Sequence, residues 1–188
     1  MATSTPSAPT GEPLLDEPLP GEGLILAAAM GAAMAGAVHL LVVPEHWAAS
    51  PLMSAFFMAV GSAQLALVVL LRWRLPDAVI VGVIMGHLAI MGMYLASRTV
   101  DLPFVPPHDR AHEMEHLPVP RAVGDGIPVY PGSRVEPVGV LDLVCLVAEL
   151  VLVVSLAALL PPRLRGVVTT VMAGAAVLAV LWRVWVLS

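Results

Sequence analysis

The sequence predicts an all-α integral membrane bundle: five transmembrane helices with one long extracytoplasmic loop. Three observations predict it. Five apolar stretches of about 20 residues each match the length a helix needs to cross a hydrocarbon core about 30 Å thick. Hydrophobic residues make up 59% and charged residues 12% of the 188-residue chain, against about 25% charged in an average soluble domain. Mean hydropathy is +0.90, too apolar for a water-soluble fold of this length to hide. Because lipid cannot solvate exposed backbone polar groups, such stretches must be helical.

The stretches run over about 23–43, 53–71, 78–97, 139–160 and 166–187, so residues 23–188 form one five-helix membrane domain. Residues 1–22 precede it. They carry Glu12, Asp16, Glu17 and Glu22 among prolines, with no arginine or lysine. That composition lacks the basic start of a signal peptide and reads as a disordered acidic tail. The first span is dense in small residues, from Ala27 through Gly31 and Gly36 to Ala37, which lets helix backbones approach closely where lipid supplies no hydrophobic drive. Ala173, Gly174, Ala175 and Ala176 predict the same kind of packing for the last span.

Orientation follows from the arginines in short loops. Arg72 and Arg74 join the second and third spans, and Arg163 and Arg165 join the fourth and fifth. Both loops are expected in the cytoplasm, with the N-terminus beside them and the C-terminus outside. Arg98, Arg110, Arg121 and Arg134 then fall outside, in or next to the 98–138 loop, where length weakens the rule. That loop holds eight of the eighteen prolines. Long connections of this kind are functional or disordered. The chain is thus expected to be a multi-pass protein of a cell membrane.

Lysine is absent and the net charge is −5, which argues against nucleic acid, whose binding needs a basic face. The single cysteine, Cys145, excludes an intrachain disulfide. There is no glycine-rich phosphate loop, nucleophile elbow or paired-cysteine metal motif, so the sequence names no reaction. The expected partners are the bilayer and either other membrane subunits or further copies of the chain.

What remains informative is the set of polar residues within the spans, which cost roughly 2.5–3.5 kcal/mol each when charged and so face a partner or water. Counted inward from the span ends, they form two layers. The first, near the outer boundary, contains His39 and Asp142, with Arg98 and Tyr94 at the same level and Glu45 and His46 in the adjoining loop. Imidazole and carboxylate are ligands for zinc, copper or iron; the plainer reading is an ion-paired cap in which Arg98 neutralises Asp142 or Glu45. The second layer, near the midplane, contains Gln64, His87 and Glu149, where a His–Glu pair would relay protons, ligate a metal, bind a quinone or simply join helices. Asp142, Cys145 and Glu149 share one face of the fourth span.

In the long loop, His108, His112 and His116 recur every four residues beside Glu113, Met114 and Glu115. A short histidine-rich tract is a compositional metal signal, although His112-Glu113 is one residue out of register with the His-Glu-x-x-His zinc motif. Haem is not expected, since this count places His39 and His87 at different depths, whereas bis-histidine ligation needs them level.

The runs His39-Leu-Leu-Val-Val-Pro44-Glu45-His46 and Ser97-Arg98-Thr99-Val-Asp-Leu102-Pro103 carry a resemblance. So do Phe56-Phe57 with Gly61 and Gln64, and Glu136-Pro137-Val138-Gly139 leading to Asp142 and Glu149. Together they resemble a group of small uncharacterised bacterial polytopic membrane proteins. The resemblance spans most of 38–149 and implies the membrane topology and a bacterial inner membrane; it implies no activity.

Three readings stay open from sequence. The first is metal handling, copper before zinc, at the extracytoplasmic face through His39, Glu45, His46 and Asp142, with His108, His112 and His116 as a loop site. The second is a non-catalytic subunit of a larger respiratory or oxidase-type membrane complex. The third is a proton-coupled carrier using His87 and Glu149.

Overall fold

The computed structural model describes residues 21–99 and 138–187. The acidic tail up to residue 20, most of the long loop and its histidines His108, His112 and His116 lie outside the described residues. The described chain is helical: α1 Glu22–Leu41, α2 Val43–Ala49, α3 Pro51–Leu70, α4 Asp77–Ser97, α5 Val140–Leu159 and α6 Pro162–Leu187. Five helical segments are long and apolar enough to cross a membrane, the first of them combining α1 and α2 as Glu22–Trp47.

The first span therefore does not stop at Pro44, where the sequence places its boundary. A proline cannot donate to the carbonyl four residues back and its ring presses against it, so α1 breaks at Val42. Val42 stays in the right-handed helical region, and Pro44 falls in the first turn of α2, where a missing N–H costs nothing. Helical hydrogen bonds run through the junction, the Val42 N–H donating to the Val38 carbonyl and the His46 N–H to the Val42 carbonyl. Ser50 then caps α3: its hydroxyl accepts from the Met53 N–H at 3.4 Å, and Pro51 takes the first helical position.

Proline has the same role at the start of α6. Pro162 opens that helix, so Arg163 and Arg165 belong to its first turn and not to a separate loop. The Arg165 guanidinium donates to the Leu160 carbonyl at 3.0 Å, satisfying an orphan acceptor at the end of α5.

Helices α1 and α5 pack against each other at the centre; α3 lies on α1, α4 on α5, and α6 against α5 and α4. The backbones of α3 and α4 make no close approach, so what joins them across the interior is side chains. Glycines set the close contacts of α1. A Cβ at Gly31 would stand 2.6 Å from the Ala148 carbonyl oxygen and 2.9 Å from the Leu152 nitrogen, both backbone atoms of α5. On the α3 side, Gly36 and Gly61 oppose each other, and a Cβ on either would stand 2.9–3.0 Å from the other's carbonyl oxygen. Gly21, at φ +98°, starts α1 in the left-handed region that suits glycine.

The small residues of α6 do not behave this way. Ala173, Gly174, Ala175 and Ala176 are exposed and nothing lies within 4 Å of a Cβ at Gly174. Within the chain α6 packs chiefly through Val168 and Met172, because its small residues fall on the faces turned away from α4 and α5.

The distribution of polarity is inverted relative to a soluble domain. Large apolar side chains such as Leu26, Met30, Leu52, Val147 and Leu178 are exposed, while His39, Ser54, Gln64, His87, Glu149 and Ser155 are buried. That is the arrangement expected where the surroundings are hydrocarbon. Gly31→Ala is expected to lower stability by about 1–3 kcal/mol, because backbone of α5 must move to admit the methyl. Gly174→Ala should stay within about 0.5 kcal/mol of the parent, as a surface change. Thermal unfolding of both variants in one detergent checks the contrast.

Candidate functional site

The interior site grows from one requirement: polar side chains removed from water must satisfy one another. Four helices contribute. α1 supplies His39, α3 supplies Gln64, α4 supplies His87 and α5 supplies Glu149, all buried. Counted from the helix caps at the Arg98 end, His39 is 11 and Gln64 14 residues from Ser50, His87 is 11 from Arg98, and Glu149 is 10 from Gly139. They occupy one level.

This differs from the two-layer expectation for His39. Counting from Pro44 put it a turn from the surface; counting from the real end of the span puts it deep. His39 and His87 are consequently level, not at different depths, and both bond to the same amide.

The hydrogen bonds have one self-consistent direction. His87 Nδ1 is 2.8 Å from the Val83 carbonyl, which can only accept, so Nδ1 carries the proton and Nε2 is an acceptor. Gln64 Nε2 lies 3.3 Å from that nitrogen and 3.1 Å from Glu149 Oε1, donating one hydrogen to each. Its carbonyl oxygen then faces His39 Nδ1 at 2.9 Å, so this nitrogen of His39 is the donor. Turning the amide over would set oxygen against two acceptors. His39 Nε2 is left as a bare lone pair.

The His39 ring lies beside a cluster, with Cys145 Sγ nearly equidistant from its two nitrogens, 3.9 Å from Nδ1 and 3.8 Å from Nε2. Glu149 Oε1 is 3.9 Å from Nε2. One donor atom each from His39, Cys145 and Glu149 all lie within 4.8 Å of one another. Cys145 is visible in the sequence on the polar face of its helix, one turn before Glu149, yet a lone cysteine in an apolar stretch gives no reason to choose it. Phe57 closes another side of His39, its ring stacked at 5.8 Å between centroids.

The remaining candidates sit elsewhere. Asp142 does not join His39: its Oδ1 accepts from Arg98 Nη2 at 2.9 Å and its Oδ2 accepts from the Gly139 N–H at 2.7 Å. Arg98 also lies over the Tyr94 ring at 5.0 Å. The ion-paired cap is therefore what forms at this end, fastening the close of α4 to the start of α5. His46 lies on α2, where its Nδ1–H donates to the Val42 carbonyl at 2.9 Å and its ring meets the edge of Phe57 at 4.7 Å. Glu45 lies in the first turn of the same helix. Among the described residues, the convergent ligand group is His39, Cys145 and Glu149, and His39, Glu45, His46 and Asp142 do not assemble into one. Nor do His87 and Glu149 pair directly, since the Gln64 amide bridges them.

Gln64→Leu is expected to cost about 1–3 kcal/mol, because it strands the acceptor of Glu149 and the donor of His39 together. Arg98→Gln, at a pair still partly open to its surroundings, should cost about 1 kcal/mol or less. Denaturant unfolding in mild detergent ranks the two.

Comparison with known protein families, curated proteins and solved structures gave no match.

Proposed function

We propose that this membrane protein binds one divalent transition-metal ion between His39, Cys145 and Glu149, inside its helix bundle. One observation carries the reading: one metal-ligating atom each from an imidazole, a thiol and a carboxyl group, on α1 and α5, lie within 4.8 Å of one another in the interior of the bundle. Lone pairs brought together in a dry interior repel unless a proton or a metal cation stands between them.

The distances support this. Zinc bonds of about 2.0–2.1 Å to nitrogen, 2.3 Å to sulfur and 2.0–2.2 Å to oxygen give tetrahedral ligand–ligand edges of roughly 3.4–3.6 Å. The 3.8 and 3.9 Å separations exceed these by a few tenths of an ångström, and the third edge, from Cys145 Sγ to the Glu149 carboxylate, lies within 4.8 Å, so the side chains must close up around an ion. Charge supports it too. A carboxylate and a thiolate carry two negative charges, which a divalent ion cancels, and a neutral complex is what a low-dielectric interior tolerates. With one imidazole, zinc suits the set better than copper, whose blue cupric thiolate sites use two. Gln64 would be the outer partner that holds the His39 tautomer, as hydrogen-bonded partners do at metal-binding histidines.

The arginines at one end of the bundle support a cytoplasmic position for that end and an outward one for the Arg98–Asp142 end. The proton-carrier reading has less support, because a carboxamide separates His87 from Glu149. The subunit reading draws on the exposure of α6; stoichiometric partner chains retained through gentle solubilisation would favour it.

The test uses protein in which His108, His112 and His116 are all changed to alanine, removing the loop as a competing chelator. Equilibrium dialysis against zinc should give one ion per chain. His39→Ala, Cys145→Ser and Glu149→Gln should each abolish it, Gln64→Ala should weaken it about 10–100-fold, and His46→Ala and Asp142→Asn should retain it. Zinc no higher than in a protein-free control, or ligand variants that bind like the parent, ends the proposal.

A further inference from the structure

The interior is not symmetrical about the polar level. On one side lies a continuous apolar plug: Leu67, Leu71, Ile80, Ile84, Leu152 and Leu156 are all buried in one cluster. These residues follow Gln64 on α3, precede His87 on α4 and follow Glu149 on α5, so they fill the arginine-loop end of the bundle from the polar level outwards. The buried alanines Ala28 and Ala32, which precede His39 on α1, join the same cluster.

The other half is built differently. Among the described residues, none of α4 after His87 and none of α5 before Ala148 is buried. Polar side chains lie there beside the aromatic pair Phe56 and Phe57, the latter stacked on His39. Cys145 is half-buried and stands one turn from Glu149 towards Asp142. The Arg98–Asp142 pair, with side chains 12% and 26% exposed, occupies the end of this half, and Ser54 donates inside it to the Val43 carbonyl at 3.2 Å.

A metal ion surrenders bound water only stepwise and needs polar groups along its way, whereas a packed apolar plug offers it nothing. We infer that the His39–Cys145–Glu149 site is reached from one end of the bundle alone, the Arg98–Asp142 end, with Cys145 the first of the three ligands met. This inference rests on the metal-binding reading of the same site. It makes the site a one-sided receptor for a divalent ion, in contrast to a carrier site, which must open in turn to both faces.

Cys145 is the sole cysteine of the chain, so its thiol reports access without background. Full-length protein is reconstituted into liposomes and exposed to a membrane-impermeant methanethiosulfonate reagent, added outside or enclosed within. Two marker variants in a Cys145→Ser background, Thr99→Cys and Trp73→Cys, identify which face is which. The expected result is that Cys145 is modified only from the face that modifies the Thr99→Cys marker. Zinc at about ten times its dissociation constant should slow that modification about tenfold, by occupancy alone. Modification from the Trp73→Cys face, from both faces, or from neither while the unfolded chain reacts, overturns the inference. One-sided modification that zinc leaves unchanged keeps the route and removes the metal, so the two proposals fail separately.

Discussion

The bundle depends on the carboxamide of Gln64. It bonds to partners on three other helices: it accepts from His39 of α1 and donates to His87 of α4 and to Glu149 of α5. A carboxamide has two donors and one acceptor oxygen arranged in a plane, and here each faces a complementary group. The backbones of α3 and α4 do not meet closely, so side chains link them: this amide at the polar level, and Leu67, Leu71, Ile80 and Ile84 in the apolar cluster. Interhelical bonds of this kind contribute modestly to stability, about 0.6–2 kcal/mol in membranes. Their larger effect is on specificity, because only one rotation and one depth of each helix satisfies all of the groups at once.

That reach is possible only because α1 lies so close to its neighbours. Gly31 against α5, and Gly36 against Gly61 of α3, bring backbone to within a few ångströms of backbone. A helix pair held apart by leucine-sized side chains would leave His39 too far from Gln64 and Cys145 for their contacts. The packing motif and the polar site are therefore one design: the small residues set the spacing, and the polar residues use it.

The same network determines what the site offers chemically. The Val83 carbonyl fixes the proton on His87, His87 fixes the face of the amide, and the amide fixes the proton on His39. The consequence is a His39 ring held beside the carboxyl group of Glu149 and the thiol of Cys145, next to an apolar plug. Each step follows from which atoms can donate and which can only accept. The Arg98–Asp142 pair plays a different part, tying together the two helix ends from which the long loop departs.

Length, apolarity and proline placement were enough to determine the five spans, and most observed helix ends fall within a few residues of the sequence reading. The physical reason is that hydrocarbon thickness and backbone hydrogen bonding act on each span independently of the others. The dense small residues of α1 were legible as a packing face for the same local reason, but those of α6 were not, since composition is blind to which side of a helix has a neighbour. Depth was misjudged at His39 because Pro44 looked like an end, when a proline in the first turn of a continuing helix ends nothing. Which polar groups meet was decided by tertiary structure alone: Gln64, His87 and Glu149 sit level by counting, but Cys145 and His39 join them only through the close approach of α1 to α5. Convergence of ligands from separate helices is a property of packing, and no single helix encodes it.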